Sequence, residues 1–209
     1  MKLIVFGATG TAGKQLVKQA LLNGASVKAF GRNVFVDDFP QADRLELLQG
    51  ALFDEGQVLH ALKDCEVVLS ALGGAIDGTD KTRSLGIKNI VAQMKKAGVK
   101  RIIAVGGMGV LEDEEGHWLM DDEDFPKEYL AVSQEHKKAL ECLQQSGLEW
   151  TFVCPVMVID GAATGLYKTA AGHLPVNHSA GVLAGDLALC MLNEITARQY
   201  LQQKVGISN

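Results

Sequence analysis

The chain has 209 residues, 47% of them hydrophobic, and a net charge of −5. That length suits a single domain able to hide roughly 70% of its unfolded surface without staples, and the acidic balance argues against nucleic acid or an anionic membrane as partner. Four scattered cysteines, Cys65, Cys142, Cys154 and Cys190, suit free thiols in a reducing cytosol, not a disulfide framework or a zinc knuckle. The N-terminus reads as a strand and not a signal sequence, and no apolar run approaches membrane-spanning length, so a cytoplasmic location is expected.

Along the chain, strand and helix patterns alternate. The apolar run from Lys2 to Phe6 stops at Gly7, and Gly7, Gly10 and Gly13 recur every third residue before a helical stripe of Leu16, Val17, Ala20 and Leu21. Ser26–Phe30 is the second expected strand, 31–43 a polar irregular stretch, and Leu45–Gln49 the third strand. Asp54 opens a helix with Gln57 as its capping-box partner. A fourth strand spans Glu66–Leu72. A long helix over Thr82–Ala97 carries Leu85, Ile87, Ile90, Val91 and Met94 as its buried stripe. Arg101–Gly106 is the fifth strand. A second long helix follows Pro126 to about Gln145, Trp150–Cys154 is the sixth strand, Ala184–Ile195 is helical, and Lys204–Ile207 is a short last strand. Strands apolar on both faces, alternating with helices, predict an α/β fold with a doubly wound parallel sheet. Residues 1–209 are expected to form one dinucleotide-binding domain of the Rossmann type, with 148–209 as a small substrate-side lobe of it.

Strand, glycine turn and helix start in that order make a site for a pyrophosphate. Amide N–H groups and the positive helix end converge where missing side chains admit the ligand. The cradle comprises Gly7, Thr9, Gly10, Thr11, Ala12 and Gly13, with Gly13 also letting the helix pack on the strand. Ligands of open parallel sheets lie beyond the carboxyl ends of the strands. Small residues crowd those ends at Gly31-Arg32-Asn33, Gly50-Ala51-Leu52, Ala71-Leu72-Gly73-Gly74, Gly106-Gly107-Met108-Gly109 and Pro155-Val156-Met157. The acidic residue that would hold an NAD ribose is missing, with no carboxylate before Asp37. Arg32 stands there instead, and a guanidinium clamps a 2′-phosphate, so NADP(H) is expected over NAD(H). The competing view of Arg32 is a solvated loop arginine.

With these residues placed, the chain resembles an atypical short-chain dehydrogenase/reductase. More narrowly, it resembles the NAD(P)H-binding group that holds NmrA-like proteins and flavin reductase/biliverdin reductase B. The likeness rests on F-G-A-T-G-T-A-G at the start, Gly31-Arg32, N-I-V-A-Q-M-K-K-A-G-V-K-R-I-I, and S-G-L-E-W-T-F-V-C-P near residue 150. It implies that Gly7 to Gly13 hold the pyrophosphate and Arg32 the 2′-phosphate. Ala51 and Leu52 would border adenine, and Ala71 to Gly73 the adenosine ribose and pyrophosphate. Gly106, Gly107, Pro155 and Val156 would border the nicotinamide.

The departures redirect the chemistry. The family's Tyr-x-x-x-Lys pair falls on Val132 and His136, the serine after the fifth strand on Gly107, a histidine after the sixth on Met157, and an aspartate after the third on Ala51. Ketone reduction needs a positioned acid for the alkoxide it creates. A flavin or quinone delocalises the charge, so the protein need only stack two flat rings. The expected activity is therefore NADPH-dependent hydride transfer to a small planar acceptor. The alternative is an NmrA-like redox sensor that binds NADP(H) and a protein partner without catalysis; a sugar-nucleotide epimerase or dehydratase is weaker, because the tyrosine is absent. Met108, Trp118, Met157 and Tyr167 are expected to wall the substrate pocket, with Leu174 and Pro175 shaping it. His136 is the candidate catalytic residue, bonding a ribose or donating a proton near neutral pH. The remaining histidines have no ligand spacing, and no metal is expected. The acidic runs 112–115 and 121–124 flank Trp118, Leu119 and Met120; they read as a solvated loop, with a substrate lid as the sharper alternative.

Overall fold

A computed structural model describes residues 1–36 and 39–209; Asp37, the first carboxylate after the second strand, lies outside the described residues. Eight strands form one sheet in the order β3-β2-β1-β4-β5-β6-β10-β8. They are β1 (Lys2–Phe6), β2 (Ser26–Gly31), β3 (Leu45–Gln49), β4 (Val67–Ser70), β5 (Arg101–Val105), β6 (Glu149–Pro155), β8 (Lys168–Ala171) and β10 (Gln203–Ser208). All neighbours run parallel except β10 and the edge strand β8. Two short strands, β7 (Val158–Ile159) and β9 (Val182–Leu183), pair apart from that sheet.

Side-chain alternation along each strand builds two cores. In β1, Leu3 and Val5 face one way and join helices α1 (Thr11–Leu22) and α5 (Ala184–Ala197) through Leu16, Val17, Leu187 and Met191. Ile4 and Phe6 face the other way, onto α2 (Glu55–Ala61), α3 (Thr82–Ala97) and α4 (Leu130–Gln144). The sheet is thus covered on both faces, and β1 lies where the strand order reverses. That reversal opens a crevice at the carboxyl ends of β1 and β4, the ligand position of doubly wound sheets.

Local chemistry fixes the element ends. Asp54 caps α2 by accepting from the Gln57 amide at 2.9 Å, while the Gln57 side chain accepts from the Ala51 amide at 2.8 Å, tying the end of β3 to the helix. Helix α3 occupies the predicted span, but Leu85 is 48% exposed and is not part of its buried stripe, which runs through Ile87, Ile90, Val91 and Met94. Strand β8 and the β7–β9 pair escaped the sequence reading, because segments of two to four residues carry too few side chains to show a period.

Candidate active site

The carboxyl ends of β1 to β6 open into one cleft of about 870 Å³. That lies near the top of the roughly 300–1,000 Å³ range of small-molecule sites. Its floor begins at the first turn. Gly7 has φ +78°, a left-handed conformation costly for other residues, and any Cβ there would meet the Ala71 carbonyl. A Cβ on Gly13 would strike the Gly7 carbonyl, so α1 and β1 touch backbone to backbone. Gly10 caps α1 without a side chain and the first turn holds no acidic residue. The helix start therefore presents unsatisfied amides and positive potential to the cleft.

The predicted residues sort cleanly. Gly7, Thr9, Gly10, Thr11 and Ala12 line the turn. Arg32, Ala51 and Leu52 line the end toward β2 and β3. Ala71, Leu72, Gly73, Gly106 and Gly107 line the middle, and Pro155, Val156, Met108 and Met157 the far wall, with His136 behind them. Gly13 is not in the wall, because it is spent on helix–strand contact. Asn33 is exposed and lies outside the wall.

Trp118 and Tyr167 are corrections. Trp118 is drawn away from the cleft by two ammonium groups, Lys137 Nζ at 4.4 Å and Lys204 Nζ at 5.4 Å from its ring centroid. Lys204 also pairs with Glu112 at 2.6 Å and donates to the Val110 carbonyl at 2.7 Å, so the acidic loop is moored to β10. Met120 is buried and Leu119 packs on the second core, while Glu114, Glu115 and Asp121 to Asp124 face solvent. Tyr167 packs on the first core and its hydroxyl accepts from Asn193 Nδ2 at 3.2 Å; neither it nor Leu174 nor Pro175 reaches the cleft wall.

Among the cleft residues that sequence reasoning missed are Arg83, Phe125, Tyr129 and Ser133. Arg83 lies in the first turn of α3, the helix that follows the glycines of β4, and that placement was the available signal. Its guanidinium donates to the Ala75 and Gly74 carbonyls, each at 3.0 Å, bracing the loop after β4. Tyr129, Val132, Ser133 and His136 recur at helical spacing along one face of α4.

Charge is distributed unevenly. Among the described residues no Asp, Glu or Lys lines the cleft, and its two charged groups are Arg32 and Arg83. Among the described residues, an acidic protein thus keeps its carboxylates out of the crevice wall. Behind it, Glu135 is buried and accepts from Lys138 at 2.8 Å, Lys81 at 3.2 Å and the Ser84 hydroxyl. Burial works to raise its pKa, but the hydrogen bonds from Lys138, Ser84 and Lys81 prevail and hold it at about 2. His136 is 8% exposed. Burial first, then the Arg83 charge, push it down to about 3 against the pull of Glu135. Burial thus favours the neutral imidazole at pH 7, which weighs against a part as proton donor near neutrality. Cys154, buried beside Gly106, is pushed by burial up to about 12 and is an inert thiol. Among the described residues no cluster of three His, Cys, Asp or Glu could hold a metal ion, and no helix is long and apolar enough to cross a membrane.

Comparison with known proteins adds to this geometry. A family model described as NAD(P)H-binding matches residues 7–198. The uncharacterised protein YwnB of Bacillus subtilis strain 168 is 28% identical over 214 residues, spanning 99% of this chain and 98% of its own. A crystal structure from Burkholderia pseudomallei, of a protein suggested to be exported, superposes with a TM-score of 0.86 at 32% identity over the full length of both chains. A Streptococcus pneumoniae TIGR4 structure, suggested to be an NADH-flavin reductase, gives 0.85 at 28% identity over 100% of this chain and 99% of that one.

Proposed function

Because the chain belongs to the NAD(P)H-binding family, we propose that it is an NADPH-dependent reductase that passes a hydride to a planar acceptor, a flavin or a quinone. The observation that carries this reading is a cleft that among the described residues is lined by no carboxylate and holds a cation at each of two places. A dinucleotide brings a diphosphate, and in NADP a further phosphate; any acid in the wall would repel them. The α1 amides and Gly7 hold the diphosphate, and Arg32, exposed at the mouth beyond β2, clamps the 2′-phosphate and stacks on adenine. Bound NADPH supplies the hydride. The chain supplies the bench on which two flat rings meet. Gly106 and Gly107 leave the floor low, Pro155 and Val156 border the nicotinamide, and Met108, Phe125, Tyr129 and Met157 enclose the acceptor. Segment 148–209 contributes the Pro155 to Val158 wall and serves as the substrate-side part of the same domain.

The suggested flavin reductase activity of the Streptococcus pneumoniae neighbour supports this acceptor class. The four unpaired cysteines support a reducing, cytoplasmic setting. Steady-state oxidation of NADPH with FMN, FAD and small quinones tests the proposal; absence of turnover above the buffer rate with all of them defeats it.

A second reading, an NADP(H) sensor that contacts a protein partner, is favoured by one specific observation. By the resemblance, the cleft residues Val132 and Gly107 take the places of the family's tyrosine and serine, and His136 beside them is uncharged, which supports a cleft without the family's proton relay. A sensor would discriminate NADP+ from NADPH in affinity and turn nothing over.

A further inference from the structure

We propose that Ser133 and His136 form an uncharged hydrogen-bonding pair that receives a conjugated carbonyl oxygen of the acceptor. The inference deepens the reductase reading above and rests on it.

The two residues lie three apart on α4, hence one above the other on a single face. Both line the cleft, and both are more than nine-tenths buried, Ser133 at 4% and His136 at 8% exposure. Neither is satisfied by the protein. The Ser133 hydroxyl makes no hydrogen bond to any described residue, and His136 Nδ1 is sealed from solvent without a partner. Leaving buried polar groups unpaired is costly, about 1–3 kcal/mol each. Nδ1 lies on the sealed side of the ring, whereas neither Nε2 nor the Ser133 hydroxyl is sealed from solvent, so these two are the polar atoms that a ligand in the cleft can meet.

Two glycines make the pair reachable. A Cβ on Gly107 would stand 2.8 Å from His136 Cδ2 and 3.0 Å from Nε2, and a Cβ on Gly109 would strike the Ser133 hydroxyl. The glycine run after β5 therefore clears the floor directly in front of both polar groups. The Cδ2–Nε2 edge of the imidazole faces that floor. With Nδ1 sealed and unpartnered, the tautomer carrying hydrogen on Nε2 avoids burying an orphan donor. The pair then presents Nε2–H and Oγ–H to one region of the cleft.

Uncharged donors select a neutral carbonyl over a carboxylate or phosphate, which needs a countercharge. They also suit the reaction. The acceptor takes two electrons and one hydrogen from the nicotinamide, and its second hydrogen arrives as a proton from water. Before that proton arrives, negative charge rests on the conjugated oxygen, where the two donors strengthen their hold without being ionised themselves. Quinones and flavins both carry such an oxygen.

The test uses 1,4-naphthoquinone and the full chain saturated with NADP+, which binds without turnover. Infrared difference spectroscopy reads the carbonyl stretch of the bound quinone, and calorimetry reads its affinity. In the wild type the stretch falls on binding. His136→Phe and Ser133→Ala each relieve part of that shift and weaken quinone binding about ten-fold, while His136→Gln, which keeps a neutral N–H, restores both. NADP+ affinity stays near wild type in the variants; if the bulkier His136→Phe misfolds, Ser133→Ala and His136→Gln carry the comparison. An unshifted stretch in the wild type, no quinone binding, or a shift that survives in the Ser133→Ala/His136→Phe double variant overturns the pair. A shifted carbonyl without NADPH turnover leaves the pair standing and defeats the reductase reading instead.

Discussion

Gly107 lies against the His136 imidazole so closely that no other residue fits between the end of β5 and the ring. Phe152 backs the ring edge-on at a centroid distance of 6.2 Å, so the imidazole has nowhere to retreat. Gly107→Ala is expected to cost about 1–3 kcal/mol of stability through overpacking. It should also raise the acceptor KM several-fold while leaving the NADPH dissociation constant within about two-fold. Denaturant unfolding and steady-state kinetics on the same variant separate the two effects.

Arg32 is an exposed guanidinium in the cleft wall where an NAD site would place a carboxylate. The wild type should bind NADPH at least about ten-fold tighter than NADH, and Arg32→Ala should erase most of that gap by weakening NADPH alone. Calorimetric titration of both cofactors on both proteins checks it; equal constants on the wild type would refute the assignment.

Acid should loosen the fold through His136 before it does so through Glu135. The folded imidazole titrates at about 3 and the unfolded one near 6.5, so between those values the unfolded chain binds the extra proton and stability falls as pH falls. Glu135, at about 2 against 4.5 unfolded, keeps its full contribution above pH 4.5 and loses it as pH drops through 2. Arg83 and Glu135 are the charged groups acting on the imidazole, and both stay ionised across the upper window. From pH 6 to 4.5 the wild type should lose about 1.4 kcal/mol per pH unit from this single site. The slope should fall by about that amount in His136→Gln. Denaturant midpoints at several pH values give both slopes.

Trp118 offers a test of the moored loop. Held over Lys137 and Lys204, it ties the acidic segment to α4 and β10. Trp118→Ala is expected to lower stability by about 1–3 kcal/mol through lost packing and cation–π contact and to leave the acceptor KM unchanged. A KM increase without loss of stability would restore the lid.

Much of this molecule could be read from residues alone, for identifiable reasons. Helix α3 and strand β3 fell on their predicted spans, because a sixteen-residue amphipathic stripe and a run of five bounded by turns are strong patterns. The glycine turn between β1 and α1 was legible because backbone geometry, not a side chain, builds it, and glycine is the visible trace of that. Ser133 and Tyr129 were hidden because their importance lies in a register along α4, which matters only once the helix is known to face the cleft. Trp118 misled because an aromatic between acidic runs looks like a flap. Its position is decided by Lys204, 86 residues away in the chain, and no local pattern encodes that meeting.

A crevice lined by no acid among the described residues has a practical corollary at the bench. If the proposed function holds, sulfate and inorganic phosphate should compete with the nucleotide for the α1 amides and the Arg32 guanidinium. At matched ionic strength, apparent NADPH affinity should be poorer in phosphate than in a bulky zwitterionic buffer, and crystals grown from sulfate should carry that ion at the mouth of α1.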